Sequence, residues 1–593
     1  MSNTNLQSDG KFLSKLYFRV LPAQIFMMFL TGVNNLIDGL VSSNCIGAGA
    51  MGVIGLYAPF SMIWLAVSAV MMVGSQVLCA RYMGSGDLQK TRGVFSLNLV
   101  LTFAIMLIAT LLSFVLSTKI AVILGASEAT VNDLSAYITG RGVGLLPMVL
   151  GAQFSTFLSL EGQDKYNYFS TVTLLGTNTV LDLIFAAVLK KGIGGVGLAT
   201  SISQWIYMAT TAVFFLSKKA SLKFSFKSIN WKELWSLVKI GFPNALVFFL
   251  TSIRSSTFNN LLASYDPTMV AVAAISTYVI VMMIFESVGK GVASAGRILS
   301  SVSYGEEDGK SITTIMKTVF TKGLLVSFAA SVLVFLLAGY IPRMFYPNPD
   351  SEVYRLTARS LRFGALVLVF ETIAYVFSNY FQSIGRNIIV NVMSVLEGVA
   401  VMVPIGFLLI PKMGLDGVML SLVIGYAVVA LVGPVYAIIY WKRRPRTLSE
   451  WVTIPADFGA PDDECLDVTI HNLEEAVNTS REIQKFCEEH NVDQKKATYS
   501  ALAVEELCLG IIKDRFEADK KKHRIEVHVV HKEDRIFISL KDDCKPFNAK
   551  ERSELVNPQD DSPKSLSIRV FMGIVKETEY QLTLGINVFT VTF

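Results

Sequence analysis

Over the first 445 residues, short polar loops alternate with apolar runs of roughly twenty residues, the length that crosses a bilayer as a helix. Run length predicts about a dozen membrane helices. They fall at 16–38, 53–80, 94–117, 135–158, 167–189, 194–217, 238–263, 270–300, 314–341, 361–383, 388–410 and 416–441. Pro22 and Pro243 lie early in the first and seventh. Pro404 is expected to break the eleventh and Pro411 to stop it, because proline has no N–H to give the preceding turn. Beyond residue 445 charged residues crowd together and no run is long enough to span. There CLDVTIHN reads as a strand, 473–490 and 492–516 as amphipathic helices, RIEVHVVHKEDRIFISLKDD as a hairpin, and VFTVTF as a final strand. The expected fold is a polytopic all-α membrane protein followed by a soluble α/β domain.

The helices repeat. VLPAQIF, with Pro22, is answered by GFPNALV, with Pro243. RYMGSGD (81–87) is answered by SYGEED (303–308), SLEG (159–162) by QSIG (382–385), and GIGGVGL (192–198) by GLDGVML (414–420), always near an offset of 222. Such a repeat predicts two parallel six-helix lobes, related by a pseudo-twofold along the membrane normal, with a cavity between or within them. The domains are then 1–230, 231–445, a linker 446–456 and a tail 457–593. The repeat fails at two carboxylates: Asp38 is answered by Asn259 and Asp182 by Pro404. Their role is therefore expected to be confined to the first lobe.

Composition agrees with this pattern. Of 593 residues, 52% are hydrophobic and 17% charged, with a mean hydropathy of +0.50, which excludes a soluble enzyme and disorder alike. The net charge of +5 sits in loops and does not suggest nucleic acid. Loops holding Arg81, Lys90 and Arg92, Lys218–Lys227, Arg386, and Lys442–Arg446 are basic, whereas 41–51 and 264–268 hold no Lys or Arg. Positive-inside then predicts a multi-pass protein of a prokaryotic plasma membrane with both termini cytoplasmic. The first apolar run, from Tyr17, lacks a small-residue cleavage site and reads as a retained helix. None of the six cysteines is spaced C-x-x-C, so neither zinc nor a redox pair is signalled.

An ionised carboxylate inside a membrane helix costs about 2.5–3.5 kcal/mol on insertion scales, so such residues mark ion or proton paths. Five lie at membrane depth: Asp38, Asp182, Glu286, Glu371 and Glu397. Asn178 and Asp182, four apart, stack on one helical face, and Thr200 follows near the entrance of the next helix. Asp38, Asn178, Asp182 and Thr200 would together offer charged and neutral oxygens to Na⁺ or carry a titrating proton; the alternative is a carboxylate kept for packing. Pro22 could bend the first helix or merely shape its start. Glu286, Glu371 and Glu397 either line a cavity for cationic, amphipathic substrates or a second cation, or cap a helix break.

NNLID (34–38), the loop at 82–87, N-x-x-x-D (178–182), the Gly-rich stretch 192–204 and the repeat together resemble the MATE (multidrug and toxin extrusion) family over roughly residues 10–445. The resemblance implies a two-lobe antiporter that exports organic cations in exchange for Na⁺ or H⁺. On it, Asp38, Asn178, Asp182 and Thr200 match the family's first-lobe cation site, and Pro22 its bending first helix. The sequence departs from the family after Asp38 and in the second-half loop GEED. Flippases of lipid-linked oligosaccharides share the architecture and are the alternative.

In the tail, AVEELCLGII (503–512), KDDCKPFN (541–548) and SLSIRVFMGIV (565–575) resemble the GHKL ATP-binding fold of anti-sigma-factor serine kinases. The chemistry is eroded. The family's Mg²⁺-ligating Asn is Gly510, the glycine after the adenine-binding Asp542 is Cys544, and the lid's Gly-Leu-Gly is Ser565-Leu-Ser567. Glu506, the candidate base, remains but has no metal ligand beside it. The expected tail is a docking or regulatory module for a cytoplasmic protein, with no requirement for ATP or Mg²⁺; nucleotide sensing and membrane-anchored serine-kinase signalling are the alternatives. The basic linker could also touch anionic membrane lipids.

Overall fold

The structure is a computed structural model that describes residues 10–45, 48–128, 130–217, 219–266, 270–346, 348–455, 458–516, 523–532, 535–544 and 578–593. Eight helices make up the first half: α1 (Gly10–Cys45), α2 (Ala48–Gly84), α3 (Leu88–Val115), α4 (Ser117–Ile123), α5 (Val131–Gly142), α6 (Leu145–Leu160), α7 (Asp164–Leu183) and α8 (Gly192–Ala212). Eight more follow: α9 (Glu233–Tyr265), α10 (Val270–Gly305), α11 (Gly309–Thr318), α12 (Leu324–Leu337), α13 (Glu352–Ser383), α14 (Asn387–Val395), α15 (Met402–Met413) and α16 (Leu415–Trp441).

Among the described residues, ten helices are long and apolar enough to cross a membrane, eleven if the bent pair α5–α6 is one span. Helices stand at all twelve of the expected places, and ten or eleven of them meet that length and apolarity. The run that falls short is α8, present as a helix but interrupted in its apolar sequence by Thr200, Ser201, Ser203 and Gln204. The expected fourth helix is broken by 41° between α5 and α6. Ser201 packs into the break: its Oγ donates to Gly140 O (2.6 Å), and a Cβ on Gly144 would fall 2.5 Å from the Ser201 Oγ.

Three membrane helices contain a π-turn: Ile184–Val188 after α7, Val319–Gly323 between α11 and α12, and Leu396–Ala400 between α14 and α15. The last corrects the expected break. Pro404 sits in the first turn of α15 and cannot bond the Ala400 carbonyl, so the ladder fails at 396–400. Pro411 lies inside α15, which ends at Met413.

The two halves meet through α1 against α10 and α2 against α9. Bare backbone makes the closest approach possible. A Cβ on Gly84 would stand 1.9 Å from Val302 O, and one on Gly305 would stand 1.9 Å from Arg81 O. These contacts are reciprocal across the repeat, since both residues of each pair have their equivalents in the other pair. Farther along the same seam, Gly74 meets Leu237 O and Gly241 meets Val70 O in the same manner. Polar groups fasten it: Arg297 Nη2 donates to Gln76 Oε1 (2.7 Å), Ser294 Oγ to Gln24 Oε1 (2.9 Å), and Arg81 Nε to Ser383 O (2.9 Å).

After a short α17 (Leu448–Trp451), the tail forms β1 (Cys465–Ile470), α18 (Leu473–Glu489), α19 (Gln494–Ile511), β2 (Ile525–Lys532), β3 (Arg535–Asp542), β4 (Thr578–Thr583) and β5 (Ile586–Thr592). It is a small antiparallel sheet of order β1-β2-β3-β5-β4 with two helices on one face. The expected strands and helices are present. β4 was not expected; it closes a hairpin with β5 through a tight turn at Leu584–Gly585, both at positive φ. Ile525, Val527, Ile538, Leu540 and Phe589 face α18 and α19. On the opposite face, Leu584, Ile586 and Val588 join the cluster that contains Phe12, Leu16 and Val302 of the membrane helices.

Candidate functional site

Asn178 and Asp182 end α7, fully buried, with Asn178 Nδ2 donating to Asp182 Oδ2 at 2.6 Å. The π-turn Ile184–Val188 starts two residues later, a widening of the helix that often accompanies functional groups. Thr200, also buried, lies on α8, which packs along α7; its Oγ1 donates to Val196 O (3.0 Å). Asp38 is on α1, and its side chain lies outside the described residues. The flanking Ile37 and Val41 pack with Ala186 and Val196, so this stretch of α1 runs beside the end of α7 and the start of α8. Pro22 sits inside an uninterrupted α1.

The second half holds a larger charged cluster. Lys290 Nζ lies 2.7 Å from Glu286 Oε2 and 5.7 Å from the ring centre of Tyr375. Tyr375 OH donates to Glu371 Oε1 (2.8 Å), while Glu371 Oε2, buried, has no hydrogen-bond partner among the described residues. Tyr426 OH donates to Glu397 Oε1 (3.4 Å), and Arg254 Nη1 donates to the Glu397 carbonyl (2.6 Å). Glu397 belongs to the π-turn Leu396–Ala400. Three carboxylates thus face two cations, all close enough to act on one another electrostatically. The side chains of Lys290 (40% exposed) and Glu286 (23%) are open to solvent-sized space, so the cluster has an accessible side.

Sequence reasoning found the three glutamates but missed both cations. Lys290 was readable as the i+4 partner of Glu286. Arg254 was not, because its partner lies 143 residues away.

In the tail, Glu506 and Gly510 stand one turn apart on α19, and a Cβ on Gly510 would meet nothing within 4 Å. Space for the missing side chain exists; the oxygen that Mg²⁺ requires does not. Asp542 is 2% exposed, and its Oδ1 already accepts from Cys544 N (2.9 Å) and Asn587 Nδ2 (2.8 Å). Burial pushes its carboxyl up to about 6, against the opposing hydrogen bonds from Asn587 and Cys544. Ser565 and Ser567 lie outside the described residues. Among the described residues, position 510 offers no side-chain oxygen to Mg²⁺.

The MatE family profile matches residues 23–184 and 243–408. The multidrug export protein MepA of Staphylococcus haemolyticus (strain JCSC1435) is 24% identical over 432 residues, spanning 71% of this chain and 93% of that protein. MepA of Staphylococcus aureus (strain MSSA476) is 23% identical over 380 residues, 64% and 83% of the two chains. Among solved structures, a MATE transporter in its straight conformation superposes with a TM-score of 0.67 at 21% identity, over 72% of this chain and 97% of that one. A transporter of the MOP superfamily from Pyrococcus furiosus matches equally well, with a TM-score of 0.67 at 21% identity over 74% and 99%. Another MATE structure was solved in complex with the ligand MaL6. The fold of the multi-pass membrane part is the one these proteins share.

Proposed function

Because this chain belongs to the MatE family, a family of secondary transporters and not of enzymes, we propose that it is a cation-coupled antiporter exporting organic cations across the plasma membrane. Asp182 is the coupling group, with Asn178, Thr200 and Asp38 completing a site for Na⁺ or a proton. The observation that carries this reading is the buried Asn178–Asp182 pair at 2.6 Å, placed where α7 widens into a π-turn. A carboxylate in that setting is costly unless an ion or proton neutralises it, which ties its charge state to the transport cycle.

The Glu286–Glu371–Glu397 cluster is the place for a cationic, amphipathic substrate or a second cation. Its net excess of carboxylates over Lys290 and Arg254 supports that choice. The family names of MepA support drug-like cargo over a lipid-linked sugar. The basic loops around Arg81, Arg92, Arg386 and Arg443 lie on the face that carries the tail, which supports a cytoplasmic tail. The tail is read as a GHKL-like module that regulates without catalysing.

The test is efflux of a fluorescent cationic dye from proteoliposomes under separately imposed Na⁺ and pH gradients. Asp182→Asn should abolish extrusion while the protein stays folded in the membrane. Full transport by that variant sinks the assignment, and absence of dye movement by the parent chain under either gradient favours the flippase reading.

A further inference from the structure

The tail touches both halves of the membrane domain on one face. To the first half it is held by backbone. Leu584 N donates to Leu160 O (2.7 Å), Leu88 N to Glu579 Oε2 (3.1 Å), and Arg19 Nη1 to Gly585 O (3.4 Å). A Cβ on Gly162 would lie 1.8 Å from Gly585 N, so the tip of the β4–β5 hairpin rests on the bare turn between α6 and α7. To the second half it is held by charge and rings. Lys541 Nζ pairs with Glu306 Oε1 at 2.7 Å, both side chains mostly buried, and Phe458 stacks on Tyr304 at 5.1 Å. The linker adds to this second attachment: Tyr380 OH donates to Val452 O (2.7 Å) and Arg386 Nη2 to Thr453 O (2.8 Å).

Between the two attachments lies the seam where Gly84 meets Val302 and Gly305 meets Arg81. The tail has its own packed core and is fastened on both sides of that seam, so it cannot stretch when the halves separate. Opening this face must break one attachment. The linker ties the tail to the second half covalently and by hydrogen bonds, so the hairpin contacts with the first half are the ones free to part.

We infer that the tail is a latch: docked, it holds the two halves closed on its own face, and it must release the first half before that face can open. This rests on the reading of the chain as a two-lobe transporter that alternates access. The latch needs no nucleotide chemistry.

The test uses the full chain in liposomes with a cysteine at Ser294, a seam position bonded to Gln24. Labelling by a membrane-impermeant maleimide from the tail side is read at that site by peptide mass spectrometry, so native cysteines do not interfere. Gly162→Ala, whose Cβ would push the hairpin tip off the α6–α7 turn, is expected to speed labelling about tenfold, equivalent to about 1.4 kcal/mol of lost closure. Gly125→Ala, also at positive φ but with nothing within 4 Å of its Cβ, should label at the parent rate, which excludes backbone strain alone as the cause. Unchanged labelling in Gly162→Ala, or equal speeding in Gly125→Ala, overturns the latch. Labelling does not depend on transport: a chain that moves no dye yet responds as expected keeps the latch and loses the antiporter reading, whereas normal efflux with unresponsive labelling loses the latch alone.

Discussion

Replacing Gly84 with alanine probes the closure of the molecule directly. The new Cβ would stand 1.9 Å from Val302 O, a backbone atom with no rotamer to turn. Real contacts of this kind almost never fall below 3.0 Å, so α2 must retreat from α10 by about 1 Å or more. Overpacking of that size costs about 1–3 kcal/mol, set against the closed seam. Gly305→Ala should do the same from the other side, where Arg81 O is the obstacle, also at 1.9 Å. The double variant should cost less than the two singles together, because one displacement relieves both clashes. The control is Gly176→Ala on α7, where a Cβ meets nothing within 4 Å and the better helix former should stabilise by roughly 0.5–1 kcal/mol. The measurement is thermal denaturation in detergent, paired with tail-side labelling at Ser294→Cys. Lower melting and faster labelling are expected for Gly84→Ala and not for Gly176→Ala. Indistinguishable behaviour of the two variants would refute the seam as described.

Two further outcomes follow from the sites. Glu371→Gln keeps the acceptor that Tyr375 OH uses and changes only the oxygen that has no partner, so stability should move by less than about 1 kcal/mol while binding of a cationic dye weakens severalfold; thermal melting and a fluorescence titration check both. In the tail, the folded state holds the Asp542 proton up to about pH 6, whereas the ordinary Asp value is 3.8. Protonation therefore favours folding: the contribution is greatest below about pH 4 and is lost as pH rises through 6, on the order of 3 kcal/mol in all. Hydrogen exchange of β3 amides, corrected for intrinsic rates, should show protection falling over that window in the parent chain and a flat profile in Asp542→Asn.

The sequence carried the local periodicities well and the tertiary contacts poorly. Apolar run length located nearly every membrane helix, because lipid imposes that length on any span. It is weakest at α8, where buried Ser and Thr dilute the apolar signal although the helix is present. It could not place the bend between α5 and α6, since the cause is a hydroxyl on another helix, Ser201, seated at Gly140 O. Asn178 and Asp182 were legible because a four-residue spacing fixes one helical face. Arg254 and the docking of Lys541 on Glu306 were not, because both partners come from distant parts of the chain. In the tail the strand alternation was clear, yet β4 was overlooked, its TEYQLT carrying too few apolar positions to stand out.

The π-turn after Asp182 has a consequence for how this segment tolerates change in length. Such a turn holds one residue more than an α-turn, with Leu189 N reaching back to Ile184 O (2.8 Å). Loss of a single codon within Ile184–Val188 would take out the residue that the turn stores and restore the α ladder, leaving the helix on either side in register. A relative lacking one residue at this place would keep α8 beside α7 but lose the widened turn next to Asp182, a difference written in length and invisible to percent identity.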